Sequence, residues 1–207
     1  MQRVKDDNMG VKYSNLQKLY SDKINVHEFI LATSISDLED YASKNDRFSI
    51  RFDRDSKYHG LPFYKYVASD YTIEERGKYF NSIVDEANEL GCSMLCANGH
   101  LYDDIQICNF VIRINEKYDF ILEWCTEKVP LREMYQHKTT ILKGNVNELI
   151  KDMQWENRQH NKIEENEIEE MISWGMKTGY LNKNIEATLY PINVGLLNEK
   201  ITCWQTD

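Results

Sequence analysis

Ionisable side chains gather at the end of the short segment RFSIRFDRD and in the aromatic stretch that follows it. This first cluster consists of Arg51, Asp53, Arg54, Asp55, Lys57, His59 and Lys65. Arginine binds phosphate or carboxylate through two parallel hydrogen bonds, and nearby aromatic rings such as that of Tyr64 can stack on a base. The cluster predicts a nucleotide-sized ligand site. In the alternative interpretation, Arg51 and Asp53 pair across neighbouring strands and the aromatic rings fill the core.

A second cluster of polar residues follows a predicted turn in the middle of the chain. Asp103 and Asp104 are adjacent there, and Glu123 lies on a strand that we expect to come close. Carboxylates that converge near a strand end can hold Mg²⁺ together with substrate phosphates. We therefore predict Asp103, Asp104 and Glu123 as metal ligands, with His100 as a ligand contact beside them. The alternative is a solvated turn at the aspartates and a solvent-facing strand position at Glu123.

A third, locally basic stretch, VPLREMYQHKTTILKG, stands out in an otherwise acidic chain. Its cationic or ionisable residues are Arg132, His137, Lys138 and Lys143. We expect Arg132 and Lys143 to complete an anion site. In the alternative, Arg132 lies on a helix and pairs with Glu133 or another carboxylate close by.

Several familiar catalytic motifs are absent. The sequence has no G-x-x-x-x-G-K-[ST], G-x-G-x-x-G, G-x-S-x-G or H-E-x-x-H, which disfavours most motif-defined enzymes and leaves the question of catalysis open. The five cysteines are odd in number and lie mostly among apolar neighbours, which is typical of reduced, buried thiols. Cys92 and Cys96 are spaced C-x3-C, so core thiols or part of a zinc site are the two interpretations.

Length and composition indicate the class of protein. A chain of 207 residues fits one compact domain, so we predict a single α+β domain over residues 1–207, with a boundary near Gly144 as the alternative. The net charge of −9 argues against broad nucleic-acid binding.

No apolar run reaches the roughly 18 residues of a membrane span, and the N-terminus lacks the apolar segment of a secretory signal. We expect a cytoplasmic protein without membrane association.

Periodicity and capping signals predict which helices and strands carry the candidate site residues. Arg47–Asp53 alternates apolar and polar residues and predicts a strand. Thr72 and Glu75 form a capping box for a helix that ends at Gly91. The other predictions for the N-terminal half are a helix over 14–20, a strand over 26–33, a helix capped by Ser36 and Glu39, and an ordered loop over 54–71.

The rest of the chain predicts mainly antiparallel strands. Ser93–Ala97 and the segments 105–114 and 119–124 are expected to form a meander, with a turn at Asn98-Gly99. The remaining predictions are helices over 130–135, from 145 and over 161–177, and strands over 139–142, 185–190 and 200–204. Together these elements predict an α+β fold with a mixed, largely antiparallel sheet or sheets and flanking helices.

The N-terminal part also resembles a known family. The order INVHEFILATS, a capped helix over 37–42 and FSIR resembles the opening of the nucleotide-binding part of ATP-grasp enzymes of the phosphoenolpyruvate-synthase type. The resemblance implies that Arg51 contacts a phosphate. After Ser56 the chain departs from the family pattern, and it has no terminal acidic-plus-Asn metal pair. The resemblance therefore implies a reduced ATP-grasp-like arrangement that binds a ligand without turning it over.

Two functional hypotheses follow from these observations. The first is a nucleotide- or phosphate-ligand-binding protein, with Mg²⁺ accompanying the nucleotide as cofactor, that acts by positioning and charge stabilisation. The second is a non-catalytic interaction protein, such as a phage- or mobile-element-encoded inhibitor or ligand sponge, whose partner is another protein. The second rests on the small size, the negative charge and the missing catalytic motifs.

Overall fold

The computed structural model describes residues 10–54, 61–128, 134, 136–179 and 183–206, apart from the side chains of His100 and Thr206. Its chain divides into two compact units. Of the described residues, unit 1 contains 10–18 and 27–102, and unit 2 contains 19–26 and 103–206. The single domain over residues 1–207 stays a prediction, as does the boundary near Gly144.

Unit 1 is built on a four-stranded antiparallel sheet with the strand order β1-β4-β2-β3. Its helices and strands are α1 (Val11–Ser21, in unit 1 as far as Lys18), β1 (Phe29–Ala32), α2 (Ile35–Ala42), β2 (Arg47–Asp53), β3 (Phe63–Val67), α3 (Ile73–Glu89) and β4 (Ser93–Ala97). Phe48, Ile50 and Phe52 alternate along β2 and are buried in one core with side chains of α2 and α3. The other face of β2 therefore carries Arg51 and Asp53.

The helix α2 begins two residues earlier than predicted. The Ser34 side chain accepts a hydrogen bond from the Asp37 backbone N–H, and the Asp37 carboxylate accepts one from the Ser34 backbone N–H at 2.9 Å. The predicted cap at Ser36 and Glu39 is wrong, because the same spacing occurs at both pairs of positions. The Thr33 backbone N–H adds a further bond to Asp37 at 2.9 Å and favours the earlier start.

A strand also replaces part of the loop predicted over residues 54–71. β3 pairs with β2 from Arg47↔Val67 to Arg51↔Phe63. The turn formers around Pro62 favoured a loop at this place in the sequence. The strand forms because its backbone bonds to β2, which lies ten or more residues earlier in the chain. The boundaries of β2 and the caps of α3, Thr72 with Glu75 and Gly91 at a φ of 62°, are confirmed.

Unit 2 is built on a six-stranded antiparallel sheet with the order β10-β9-β5-β6-β7-β8. Its elements are β5 (Cys108–Arg113), β6 (Phe120–Cys125), β7 (Thr140–Gly144), β8 (Gln154–Glu156), α4 (Glu165–Thr178), β9 (Ile185–Val194) and β10 (Glu199–Thr206). α4 packs on one face, where the Trp174 and Phe110 rings meet edge to face with centroids 5.8 Å apart. Gly175 allows this approach, since a Cβ there would lie 2.5 Å from Ile112.

Two further predictions about the second half are wrong. The predicted meander does not include β4, which pairs with β1 and β2, because a 3-10 helix at Asn98–Tyr102 replaces the predicted Asn98-Gly99 turn. The helix predicted from residue 145 is only a 3-10 turn at Ile150–Asp152, since Leu149 has extended backbone angles. The predicted helix over 130–135 lies outside the described residues except at Met134.

The α+β fold class with antiparallel sheets and flanking helices is confirmed. Within the described ranges, no helix has the length and apolar character needed to cross a bilayer.

Candidate functional site

The β2 face opposite the helices α2 and α3 carries the predicted phosphate-binding arginine. Arg51 pairs with Phe63 across β2 and β3, and Lys65 lies opposite Ser49 in the same register. Paired residues share a face of the sheet, so Arg51, Phe63 and Lys65 lie on one side. The Arg51 guanidinium carbon is 5.2 Å from the centroid of the Phe63 ring, a cation–π distance. The structure thus brings together two of the predicted ligand-binding residues with an aromatic neighbour.

A third cation joins this face from the first turn of α1. Loss of solvent lowers the pKa of the Lys12 ammonium below its ordinary value, the positive charge of Arg51 lowers it further, and the Asp53 carboxylate raises it. The Lys12 backbone N–H also bonds to Asp53, two positions from Arg51 on β2, which places the two cations in the same region. We call Lys12, Arg51 and Lys65 the cationic face. The sequence does not point to Lys12, because no local pattern connects it with Arg51, 39 positions later.

The Asp53 carboxylate is engaged with the backbone of α1. Asp53 is only 2% exposed, and its two oxygens accept hydrogen bonds from the backbone N–H groups of Lys12 at 3.2 Å and Tyr13 at 2.8 Å. These groups belong to the start of a helix, where backbone donors have no partner within the helix. From the sequence, Asp53 is a predicted ligand contact, whereas in the structure its carboxylate binds the first turn of α1.

The other predicted residues of unit 1 do not join the cationic face in the described structure. The Arg54 guanidinium donates a 2.8 Å hydrogen bond to the Leu90 carbonyl oxygen at the end of α3. Asp55, Lys57 and His59 lie outside the described residues, and only the backbone of His100 is described, within the 3-10 helix. A ligand contact by His59 or His100 stays a prediction.

In unit 2 the predicted residues are spread over several elements. Glu123 on β6 accepts a 2.6 Å hydrogen bond from the Thr139 hydroxyl. Lys143 on β7 forms an ion pair with Glu156 of the neighbouring strand. The Asp104 backbone carbonyl accepts a hydrogen bond from the Lys128 ammonium. Arg132 lies outside the described residues.

The predicted metal ligands do not form a cluster. Among the residues that the structure describes, no group of three or more His, Cys, Asp and Glu side chains is arranged to hold a metal ion. Asp103, Asp104 and Glu123 all belong to this described part, so the convergence of the three carboxylates predicted from the sequence is absent. Their spacing along the chain favoured that convergence, but β6 directs Glu123 to the Thr139 hydroxyl.

The cysteines are free thiols, and most are buried. Burial raises the pKa of the Cys96, Cys108 and Cys203 thiols, which disfavours the thiolate needed for nucleophilic attack or metal binding. These three residues therefore act as apolar side chains.

Comparison with known proteins identifies the fold. No protein-family model and no curated protein matches the sequence. D-alanyl-alanine synthetase A from Vibrio cholerae is similar in structure, with a TM-score of 0.54 and 10% identity over 95% of this chain and 53% of that one. A RiPP-associated ATP-grasp ligase from Chryseobacterium gregarium, solved with ADP and a leader and core peptide, has a TM-score of 0.50 and 7% identity over 95% of this chain and 51% of that one.

The fold of the chain is ATP-grasp-like. The resemblance noted at the N-terminus is supported as far as an ATP-grasp-like fold, and the phosphoenolpyruvate-synthase type stays a prediction. The chain spans about half the length of these solved structures.

Proposed function

We propose that the protein binds a nucleotide through its phosphate groups at the cationic face of unit 1. The proposal is carried by the geometry of β2 and its neighbours: Arg51 and Lys65 lie on one face of the sheet, and the Lys12 backbone bonds to Asp53, two positions from Arg51. The effect of the Arg51 charge on the pKa of Lys12 supports this placement. Like charges held near each other repel, and an anion between them relieves that repulsion. The ATP-grasp-like fold and the ADP bound to one solved structure of this fold support a nucleotide as the anion.

The residues of the cationic face suit different parts of such a ligand. Arg51 offers two parallel donors to a phosphate, and Lys12 and Lys65 add positive charges without fixed geometry. Phe63, on which the Arg51 guanidinium lies, orients that guanidinium and provides an apolar surface next to the phosphate. The role of these residues is to position the ligand and stabilise its charge.

Mg²⁺ enters this proposal only with the phosphates of the nucleotide. The side chains of the cationic face carry no oxygen that could bind a hard cation, and the neighbouring Asp53 carboxylate already accepts two backbone hydrogen bonds. The described residues of unit 1 therefore do not fit a Mg²⁺ ion held by the protein alone.

Calorimetric titration with ADP and ATP, each with and without Mg²⁺, tests the proposal. A hydrogen bond to a charged group contributes about 1.5–3 kcal/mol, and about 1.4 kcal/mol corresponds to a tenfold change in Kd. We therefore expect Arg51→Ala to weaken binding about 10- to 100-fold and Lys12→Ala about tenfold. Both losses should shrink at high salt, where exposed charges are screened.

Lys78→Ala is the matched control for the loss of one positive charge. Lys78 is exposed on α3 and pairs with Glu74 at 2.6 Å, so its removal should leave the Kd unchanged within about twofold, because exposed ion pairs contribute little. The proposal fails if neither nucleotide gives binding heat, or if Arg51→Ala binds as tightly as the wild type.

The remaining predicted ligand contacts, Arg54, His59, His100, Arg132 and Lys143, stay predictions from the sequence and are not part of the site proposed on the cationic face. Neither the fold nor the comparisons support the alternative of an inhibitor or ligand sponge.

A further inference from the structure

The helix α1 begins without a capping side chain of its own. The residue before its first helical position is Gly10, and its first turn contains no acidic residue. The first backbone N–H groups of a helix need partners from elsewhere, and a Ser, Thr, Asp or Asn at the cap normally supplies one. In α1 the Asp53 carboxylate takes this role for Lys12 and Tyr13, from about 40 positions further along the chain.

The start of α1 and the end of β2 are in close contact. Gly10 lies against the Asp53 carboxyl group, and a Cβ at Gly10 would stand 2.1 Å from the Asp53 Cγ. The Val11 backbone N–H also donates to the Arg54 carbonyl oxygen at 3.3 Å. We call the contact among Gly10, Lys12, Tyr13 and Asp53 the α1 clasp. It joins the first turn of the helix directly to the end of β2.

The α1 clasp includes the backbone of a residue of the cationic face. Lys12 donates its backbone N–H to Asp53, while its ammonium lies within electrostatic range of Arg51. Arg51 and Asp53 are two positions apart on β2 and share a face of that strand. The Asp53 carboxylate, which binds the start of α1, is therefore a neighbour of the Arg51 guanidinium on β2.

We infer that Asp53 is a positioning residue of the phosphate site, whose carboxylate holds the start of α1 so that Lys12 and Arg51 present adjacent positive charges to one anion. The inference rests on the proposed function. It assigns Asp53 an indirect role, through the helix backbone, in place of a direct contact with ligand or metal. Both carboxylate oxygens already accept backbone hydrogen bonds, which supports the indirect role.

A double-mutant cycle separates the two roles. Asp53→Asn keeps the size of the side chain but removes its charge and one acceptor oxygen, and we expect it to weaken ADP binding about tenfold, as Lys12→Ala does. If Asp53 acts through Lys12, the double variant binds no more than about twofold more weakly than Lys12→Ala alone. Losses that multiply in the double variant would overturn the inference and indicate a direct contact.

Hydrogen exchange tests the α1 clasp without any ligand. Asp53→Asn should accelerate amide exchange in residues 10–18, and Gly10→Ala should do the same from the helix side, because its Cβ displaces the carboxylate. Gly10→Ala also carries the test if Asp53→Asn does not fold. Gly77→Ala is the control, since a Cβ at Gly77 meets no atom within 4 Å, and exchange in residues 10–18 should not change.

The two measurements distinguish the possible failures. Unchanged exchange in both Asp53→Asn and Gly10→Ala overturns the α1 clasp whatever the binding data show. Faster exchange together with no nucleotide binding by the wild type overturns the proposed function, and the positioning role with it, while the α1 clasp stands as a structural contact. Faster exchange in residues 10–18, together with losses of ADP affinity that do not multiply in the Asp53→Asn and Lys12→Ala double variant, supports the inference.

Discussion

Asn25→Ala is expected to destabilise unit 2 by about 3–5 kcal/mol, since each buried polar group left without its partner costs roughly 1–3 kcal/mol. The Asn25 side chain is fully buried. Its amide nitrogen lies 2.9 Å from the carbonyl oxygens of Val194 and Ile201, and its oxygen accepts a 2.8 Å bond from the Leu197 N–H. One side chain thus connects both strands and the turn of the β9–β10 hairpin. Its truncation leaves two carbonyls and one N–H without this partner.

Urea unfolding followed by tryptophan fluorescence measures this effect in unit 2, because all four tryptophans lie there. Asn193→Ala is the matched control: Asn193 is exposed on the same hairpin, and we expect a change within about 0.5 kcal/mol. A midpoint for Asn25→Ala equal to that of the control would show that the bridging hydrogen bonds contribute nothing to stability.

Phe48→Ala is expected to lower the free energy of unfolding of unit 1 by about 3–5 kcal/mol, the usual cost of removing a buried aromatic ring. Phe48 is 0% exposed. Its ring centroid lies 5.0 Å from that of Tyr41, 4.9 Å from Tyr66 and 6.4 Å from Phe80, so the substitution leaves a cavity lined by three rings. A loss of this size is a large part of the roughly 5–15 kcal/mol by which domains are stable.

Chemical denaturation followed by circular dichroism at a helix wavelength checks this prediction. Ile73→Ala provides the control in the same unit, because Ile73 is 82% exposed and its removal should change stability by no more than about 0.5 kcal/mol. A loss below about 1 kcal/mol for Phe48→Ala would mean that the core closes around the missing ring.

The elements predicted correctly are those whose signals are local. The alternation in Arg47–Asp53 and the capping pair of Thr72 and Glu75 lie within a few residues of the structure that they specify. The end of α4 is local in the same sense, because Gly179, with a φ of 70°, adopts the left-handed conformation that ends a helix. The capping box of α2 shows the limit of such signals, since two overlapping pairs had the required spacing and only the bonds from Thr33 distinguished them.

The predictions that failed depended on partners far along the chain. β3 is a strand because β2 offers it a register, and β4 leaves the predicted meander because β1 and β2 are its neighbours. The cationic face shows the same division. Arg51 could be singled out by residue type and strand position, but nothing close to Lys12 in the sequence indicates that it lies beside Arg51.

The sequence by itself determined the fold class, the helix and strand periodicities and the choice of Arg51 as a candidate phosphate contact, because these follow from residue type and spacing within one element. Only the tertiary structure decided which carboxylates come together and which accept hydrogen bonds from other groups of the protein. Asp53 changed from a candidate ligand contact to the cap of α1 because a helix without its own cap begins next to it. Hydrogen bonds between residues about 40 positions apart produce no pattern in the local sequence. The capping role of Asp53 can therefore be seen only in the folded chain.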